Sequence, residues 1–452
     1  MVVQAEKAPA ATKPIGVTAS TTPVLSARRV PEVIAAPVAD RRLNARLAEL
    51  LLRAPEDRCL TVSVSGRIVF SEHPSQSLVP ASIEKLMTTE AVVSLLGPDA
   101  VLTTRAVAGS TPQGGVLNGD LWMVGGGDPL LMTDQYVRHF AHQPVTHTAL
   151  NTLVDRIIGA GINHITGSVI GDESRFDTQR YLPQWPNRFA TLAEIGPMGA
   201  LTVNDALAEF PPTPDVKAPK EKVADDPAVH AADQLTLLLV ARGVVVDGPP
   251  KSGRSPDGAP EIAKVDSQPM SQMLTAMLTE SDNGTAELLT KELGVHDSGS
   301  GTTAAGVAAI TKALRARAIP LEGTTQFDGS GLANDNRETC GAVQALLDQQ
   351  GEGSLLAAGL PSAGQTGTLD DRFVGTPLVG RLRAKTGTLD QATALVGYLQ
   401  TMQGSQLSFA FMMNVTPPRK IRSADVNLEE ELAAILVRYP ETVDIARIGP
   451  QS

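Results

Sequence analysis

Aromatic side chains are scarce: Phe, Trp and Tyr make up 3% of the 452 residues, and Trp occurs twice. Recognition by stacked bases or an aromatic cage would rest on very few side chains. Positive charge is also short, with 38 Lys and Arg against 49 Asp and Glu and a net charge of -11. That balance argues against nucleic acid as a partner and leaves no basic footprint for anionic lipid. Seven His and two Cys, without His-x-x-x-His or Cys-x-x-Cys spacing, give no metal-ligand pattern, and neither metal nor cofactor is expected. Cys59 and Cys340 are too few to fix a redox compartment. Two unpaired buried thiols is the simpler reading, with a bridge between them as the alternative. No run is long and apolar enough to span a membrane, and the first 25 residues lack the apolar stretch of a signal peptide. Taken alone this reads as cytoplasmic, although the trimmed form of an exported protein would look the same.

What is present describes an ordinary soluble globular protein, 42% apolar and 19% charged, long enough for two or three domains with real cores. Residues 1–36, rich in Ala, Pro, Thr and Val without a lasting period, read as a tail or linker. Asp40 is placed to cap a helix with the apolar stripe Leu43, Leu47, Leu50 and Leu51. Residues 59–64 and 67–70 around Ser65-Gly66 read as a hairpin, and a helix is expected from Ser82 to about Gly97. Residues 37–98 form the first part of the expected catalytic domain. Residues 99–263 change texture to short strand-like pieces, one helical stretch at 148–160 and a solvated loop over 211–227, and read as a strand-rich insertion of one or two small domains. Residues 264–452 complete the domain, with helices near 267–279, 284–293, 302–317 and after Arg337, strands at 379–386, 392–400 and 406–414, and a helix at 424–438. Helices before and after an antiparallel sheet predict the α+β class.

Three motifs carry the chemistry, in this order: Ser82-Ile83-Glu84-Lys85, Ser281-Asp282-Asn283 and Lys385-Thr386-Gly387-Thr388. Ser-x-x-Lys and Ser-x-Asn are each cheap by composition, whereas Lys-Thr-Gly arises by chance in roughly one such chain in twenty or thirty. On a helix Ser82 and Lys85 share a face. Ser82 is the expected nucleophile, and Lys85 can take its proton if burial and a nearby cation, Lys385, lower the amine's pKa. Ser281 would relay a proton between Lys85 and a leaving amine, while the Asn283 amide would hold the substrate amide and the Lys85 ammonium. Lys385 would supply positive field from an edge strand, Thr386 and Thr388 would bind a substrate carboxylate, and Gly387 would let the substrate backbone come close. The backbone N–H groups of Ser82 and Thr388 would form the oxyanion hole. The competing structural readings are an N-cap at Ser82, a turn at Ser281–Asn283 and a plain strand end at Lys385–Thr388. Gln365-Thr366-Gly367-Thr368 nearly copies the third motif but lacks the lysine.

With these motifs go Gly125-Gly126-Gly127-Asp128-Pro129, Val203-Asn204-Asp205, Phe327-Asp328-Gly329-Ser330-Gly331-Leu332 with Asn336-Arg337, and Leu360-Pro361-Ser362-Ala363-Gly364. Over residues 38–438 the chain resembles serine peptidase family S13, the penicillin-binding protein 4 type of D-alanyl-D-alanine carboxypeptidase and endopeptidase, and its texture resembles actinobacterial members. The resemblance implies a penicillin-binding transpeptidase-like fold. It implies an exported, cell-envelope enzyme that is acylated on Ser82, with Lys85 as base, Ser281, Asn283 and Lys385 as catalytic partners, and Thr386, Gly387 and Thr388 binding substrate. Its partners would be peptidoglycan stem peptides, from which it removes D-alanine or whose D,D cross-links it cuts, and beta-lactams that mimic them. It assigns Asp172, or Glu173, to hold the amine of a diaminopimelate side chain, and leaves Asp128, Asp328 and Arg337 to hold turns. The alternatives are a serine beta-lactamase, for which no Glu-x-x-Leu-Asn pattern supplies a water-activating glutamate, and a non-catalytic wall-binding protein, which would not need Lys85 beside Ser82. Oligomeric state and peripheral envelope attachment are not legible.

Overall fold

The computed structural model describes residues 31–216 and 218–441. Residues 1–30 of the expected tail lie outside them. The tail expectation also stopped too late, because helix α1 spans Pro31–Leu51. Asp40 therefore lies within that helix and caps nothing; its carboxylate pairs with Arg67 at 2.8 Å and accepts the Tyr439 hydroxyl at 2.7 Å.

Strands β1 (Arg58–Val64) and β2 (Arg67–Glu72) form the hairpin. The chain then makes one 3-10 turn, Ala81–Ile83, and enters α2, Glu84–Leu95. It leaves this layer at Leu102 and returns at Ser267, where the two residues are tied by Ser267 N–H to Leu102 O (2.8 Å) and Leu102 N–H to Ser267 Oγ (2.9 Å). Between these points lies a mixed five-stranded sheet of β3 (Thr103–Ala108), β4 (Leu121–Val124), β5 (Val169–Asp172), β6 (Lys251–Ser252) and β7 (Glu261–Asp266), ordered β6-β5-β4-β3-β7. Two longer helices pack on it, α3 (Leu150–Gly159) and α4 (Pro227–Ala241). The second was not expected from sequence. Its start is encoded by Asp226, whose carboxylate accepts the Ala228 and Val229 N–H groups, followed by Pro227 at a position where no N–H is needed.

On return the chain forms α5 (Met270–Glu280), α6 (Asn283–Ser298), α7 (Thr303–Ala316) and α8 (Cys340–Gln350). Side chains of Asp282, Thr302 and Thr339 cap the last three. Strands β8 (Leu382–Leu389), β9 (Ala392–Gln400) and β10 (Gln406–Asn414) follow, then α9 (Ser423–Leu436). These three strands join the hairpin in an antiparallel sheet ordered β8-β9-β10-β1-β2, so that β8 is an edge.

Both faces of this sheet are covered. Leu60, Val62, Leu395, Phe409 and Phe411 point toward α1 and α9, while Ala394, Val396, Ala410 and Met412 point toward α2 and α5–α8. That is why β10 reads as a continuous apolar run rather than an alternating one. Cys59 and Cys340 are both fully buried and joined in a disulfide, with Cα atoms 5.9 Å apart. The unpaired-thiol reading is thereby corrected: the hairpin brings β1 under the first turn of α8, a proximity 281 positions apart in sequence.

Candidate active site

Ser82 lies in the 3-10 turn before α2, not in its first α-helical turn. The preceding Ala81 has φ +48°, and its carbonyl is crossed so closely by Gly331 that a Cβ there would lie 1.9 Å from the oxygen. Lys85, one turn on, is fully buried. Its Nζ donates to Ser82 Oγ at 3.1 Å, Asn283 Oδ1 at 2.8 Å and the Ser330 carbonyl at 2.7 Å. All three donor positions of an ammonium are thus used, and loss of one proton leaves a lone pair for the serine proton.

Ser281 ends α5 in the left-handed region (φ +60°), which turns the chain so that Asp282 caps α6 and Asn283 begins it. Ser281 Oγ accepts from Lys385 Nζ at 2.8 Å. The hydroxyl expected beside Lys85 is therefore held by the other lysine. The Asn283 amide is shared: Oδ1 takes Lys85, and Nδ2 donates to the Glu194 carbonyl at 3.0 Å.

Lys385 is fully buried on edge strand β8 and also donates to the Thr386 carbonyl at 3.0 Å. Burial brings the Lys85 amine down to about 8, while Asp282, Asp328, Glu287 and Glu84 act in the opposite direction. Burial and then the Lys85 charge push Lys385 well below the usual lysine range. The expected influence thus runs the other way, with Lys85 depressing Lys385. Two ammonium groups in one buried space cannot both keep their protons cheaply.

Ser82, Ser281, Asn283, Thr386 and Thr388 line one open cleft of about 720 Å³. Lys85 and Lys385 are buried and reach it through Ser82 and Ser281, and two further residues of the expected set lie elsewhere. Gly387 does not line this cleft but faces the nucleophile turn, where a Cβ would meet the Pro80 carbonyl at 2.7 Å, so its missing side chain admits the protein's own backbone. Asp172 is buried in β5, away from the lining, and its carboxylate accepts Ser174 N–H at 2.9 Å and the Ser255 N–H and hydroxyl at 2.8 and 2.7 Å. These bonds hold its pKa below the usual carboxylate value despite burial, and leave it a pin for the loop after β6. Glu173 is likewise engaged, in an ion pair with Arg180.

Other groups were missed. Thr368, from the lysine-free near-copy, lines the cleft and accepts the Thr386 hydroxyl at 2.9 Å, whereas Gln365 is exposed and accepts the Ser362 hydroxyl. Glu194, Arg188, Lys420 and Arg422 stand around the cleft, and Asp390 pairs with Arg188 and Lys420 at 3.1 Å each. The Thr-Gly-Thr repeat was a signal for Thr368. The rim residues come from separate loops with no common pattern.

A family model described as the D-Ala-D-Ala carboxypeptidase 3 (S13) family matches residues 43–221 and 211–432. The chain is 30% identical over 377 residues to a carboxypeptidase of Mycobacterium tuberculosis, covering 81% of this chain and 77% of that one. It is 27% identical over 455 residues to a D-alanyl-D-alanine carboxypeptidase of Actinomadura, covering 82% of each. Among solved structures, penicillin binding protein 4 from Haemophilus influenzae matches with TM-score 0.73 at 21% identity, over 87% of this chain and 99% of that one. This last likeness establishes the α+β penicillin-binding fold.

Proposed function

The chain belongs to the S13 family of D-Ala-D-Ala carboxypeptidases and is a serine D,D-peptidase, and from that premise we propose that it binds peptidoglycan peptides and beta-lactams and how its own residues carry the reaction. The observation that supports the assignment most is the buried Lys85 amine, held between Ser82, Asn283 and the Ser330 carbonyl.

Neutral Lys85 takes the Ser82 proton as Oγ adds to the carbonyl of the penultimate D-alanine. The backbone N–H groups of Ser82 and Thr388 receive the developing oxyanion. Collapse of the tetrahedral intermediate breaks the C–N bond, and the leaving amine takes a proton from the Lys85 ammonium once the Ser281 hydroxyl, held by Lys385 in the resting site, turns to bridge the two. Water then enters, gives a proton to Lys85 as its oxygen adds to the Ser82 ester, and Lys85 returns that proton to Ser82 Oγ as the ester C–O bond breaks and the shortened peptide leaves as its carboxylic acid. Asn283 positions Lys85, Lys385 holds Ser281 and supplies positive field, and Thr386 and Thr388 bind the terminal carboxylate. A leaving group of free D-alanine makes this a carboxypeptidase step. A cross-linked diaminopimelate amine makes it an endopeptidase step with the same bond changes.

A beta-lactam amide meets the same Ser82 and remains attached, because its leaving nitrogen stays tethered to the acyl group. Peptidoglycan lies outside the cytoplasm, so the enzyme acts there, and we place it in the cell envelope or outside the cell. Among the described residues no helix is long and apolar enough to cross a membrane. The test is intact mass after brief exposure to benzylpenicillin, with Ser82→Ala in parallel. A lasting adduct on the parent and none on the variant supports the assignment. Rapid drug turnover without an adduct would instead make the protein a beta-lactamase, and neither adduct nor turnover would remove Ser82 as nucleophile.

A further inference from the structure

Beneath Ser82 and Lys85 lie four buried carboxyl groups that the reaction above does not use: Glu84 of α2, Glu287 of α6, and Asp328 and Glu338 from either end of the turn before α8. Asp328 is saturated by bonds from Gly331 N–H, Ala333 N–H, Asn336 Nδ2 and Trp185 Nε1, so it holds the 328–336 turn. Glu84 and Glu338 share the Gln326 amide.

Glu287 differs from these. Its Oε1 accepts two adjacent backbone donors, Gly329 N–H at 3.0 Å and Ser330 N–H at 2.7 Å. The carbonyl of that same Ser330 accepts Lys85 Nζ at 2.7 Å. Thr88 of α2 holds the Gly329 carbonyl at 2.8 Å, and a Cβ on Gly329 would lie 1.8 Å from Thr290 Oγ1 of α6. The turn is therefore clamped between α2, which carries the base, and α6, which carries Glu287. We propose that Glu287 is a positioning residue for acylation: it fixes the Gly329-Ser330 segment so that the Ser330 carbonyl keeps Lys85 Nζ against the Ser82 hydroxyl. This rests on the reading of Lys85 as the base.

Charge gives the test its sign. Lys85 faces carboxyl groups of Glu84 on its own helix, Asp282 and Glu287 across from it and Asp328 on the turn, and the Lys385 amine on β8. An ionised Glu287 favours the Lys85 ammonium. Glu287→Gln keeps an oxygen for the two N–H groups and removes the charge; Glu287→Ala removes both.

The experiment follows benzylpenicillin acylation of the full chain against pH, separating drug binding from acyl-enzyme formation. Glu287 ionises only near pH 8, over the range in which Lys85 loses its proton, so Glu287→Gln should leave the limb unchanged well below pH 8 and move its midpoint to lower pH, with the plateau within about threefold of the parent. For Glu287→Ala the plateau should fall at least about tenfold with drug binding unchanged. A purely structural role would lower stability without moving the limb. An unmoved limb in Gln with an unchanged plateau in Ala overturns the proposal. If the Ala variant does not fold, the Gln limb decides, and failure of both to fold assigns Glu287 to the fold alone and also overturns it. If the parent is not acylated on Ser82, the underlying assignment has failed; if it is acylated and both variants match it, only the role of Glu287 has.

Discussion

At the scale of single residues, the chemistry depends on a lysine that can be neutral. The Lys85 amine, lowered by burial to about 8, must lose its proton before it can take one from Ser82. Acylation by benzylpenicillin should therefore rise about tenfold per pH unit below pH 8 and level off above it; a limb near the ordinary lysine value would show that burial does not tune this base. The backbone around the nucleophile is as constrained as the side chains. Gly331 (φ +87°) would place a Cβ 1.9 Å from the Ala81 carbonyl, whereas Gly66 (φ +80°) has open space around it. Both Ala substitutions strain the backbone, so their difference isolates the collision. Gly331→Ala should cost more than about 2 kcal/mol in urea unfolding and slow acylation, while Gly66→Ala should cost about 1 kcal/mol and leave acylation alone. Equal costs would mean that the Ser82 turn yields to the added methyl group.

At the scale of elements, the sequence displayed β1, β2, β9 and β10 to within a residue or two, because turn residues bound their apolar runs. The helix α4 was not legible because Leu235 and Leu237–Leu239 follow a long charged span, and the strand-rich texture around it masks the Asp-Pro start. The motif residues were legible because acyl transfer needs those types at those spacings. Asp172 was misplaced because an acid after a strand gives no sign of whether solvent, substrate or its own loop will meet it; here Ser255 does. Nor could Cys59 and Cys340 announce their pairing, which exists only once the hairpin joins β10 and lies under α8. The bridge closes a loop of 281 positions between two elements of the catalytic layer. Replacing both cysteines by Ala should lower unfolding stability by about 3 to 5 kcal/mol. Acylation at Ser82 should persist, and calorimetry with the mass assay checks both; an unchanged melting temperature would show that the sheet and α8 hold together without it.

At the scale of the whole molecule, the buried acids and the two lysines set opposing demands on pH. Burial raises Asp128 to about 6, Asp205 to about 7, and Glu287 and Glu338 to about 8. Between the unfolded carboxyl values near 4 and these raised values, the folded chain binds more protons than the unfolded chain. Stability contributed by these groups is therefore lost as pH rises through that window. Above about 8 the depressed Lys85 reverses the sign, since the unfolded chain then binds more protons and stability recovers with pH; Lys385, held well below the usual lysine range, acts in the same direction as Lys85. The carboxylates held below their usual values, Asp172, Asp390 and Glu431, act only at more acidic pH, where their stabilisation is lost as pH falls. The fold should thus be more stable near pH 5.5 than near pH 8, where its base becomes active. Urea midpoints at the two pH values check this, and Glu338→Gln, which removes one raised carboxyl outside the reacting groups, should flatten the difference. A midpoint that climbs from pH 5.5 to 8 would mean that the buried acids are ionised and paired throughout, and that the cost of placing them beneath the nucleophile is met by contacts other than protonation.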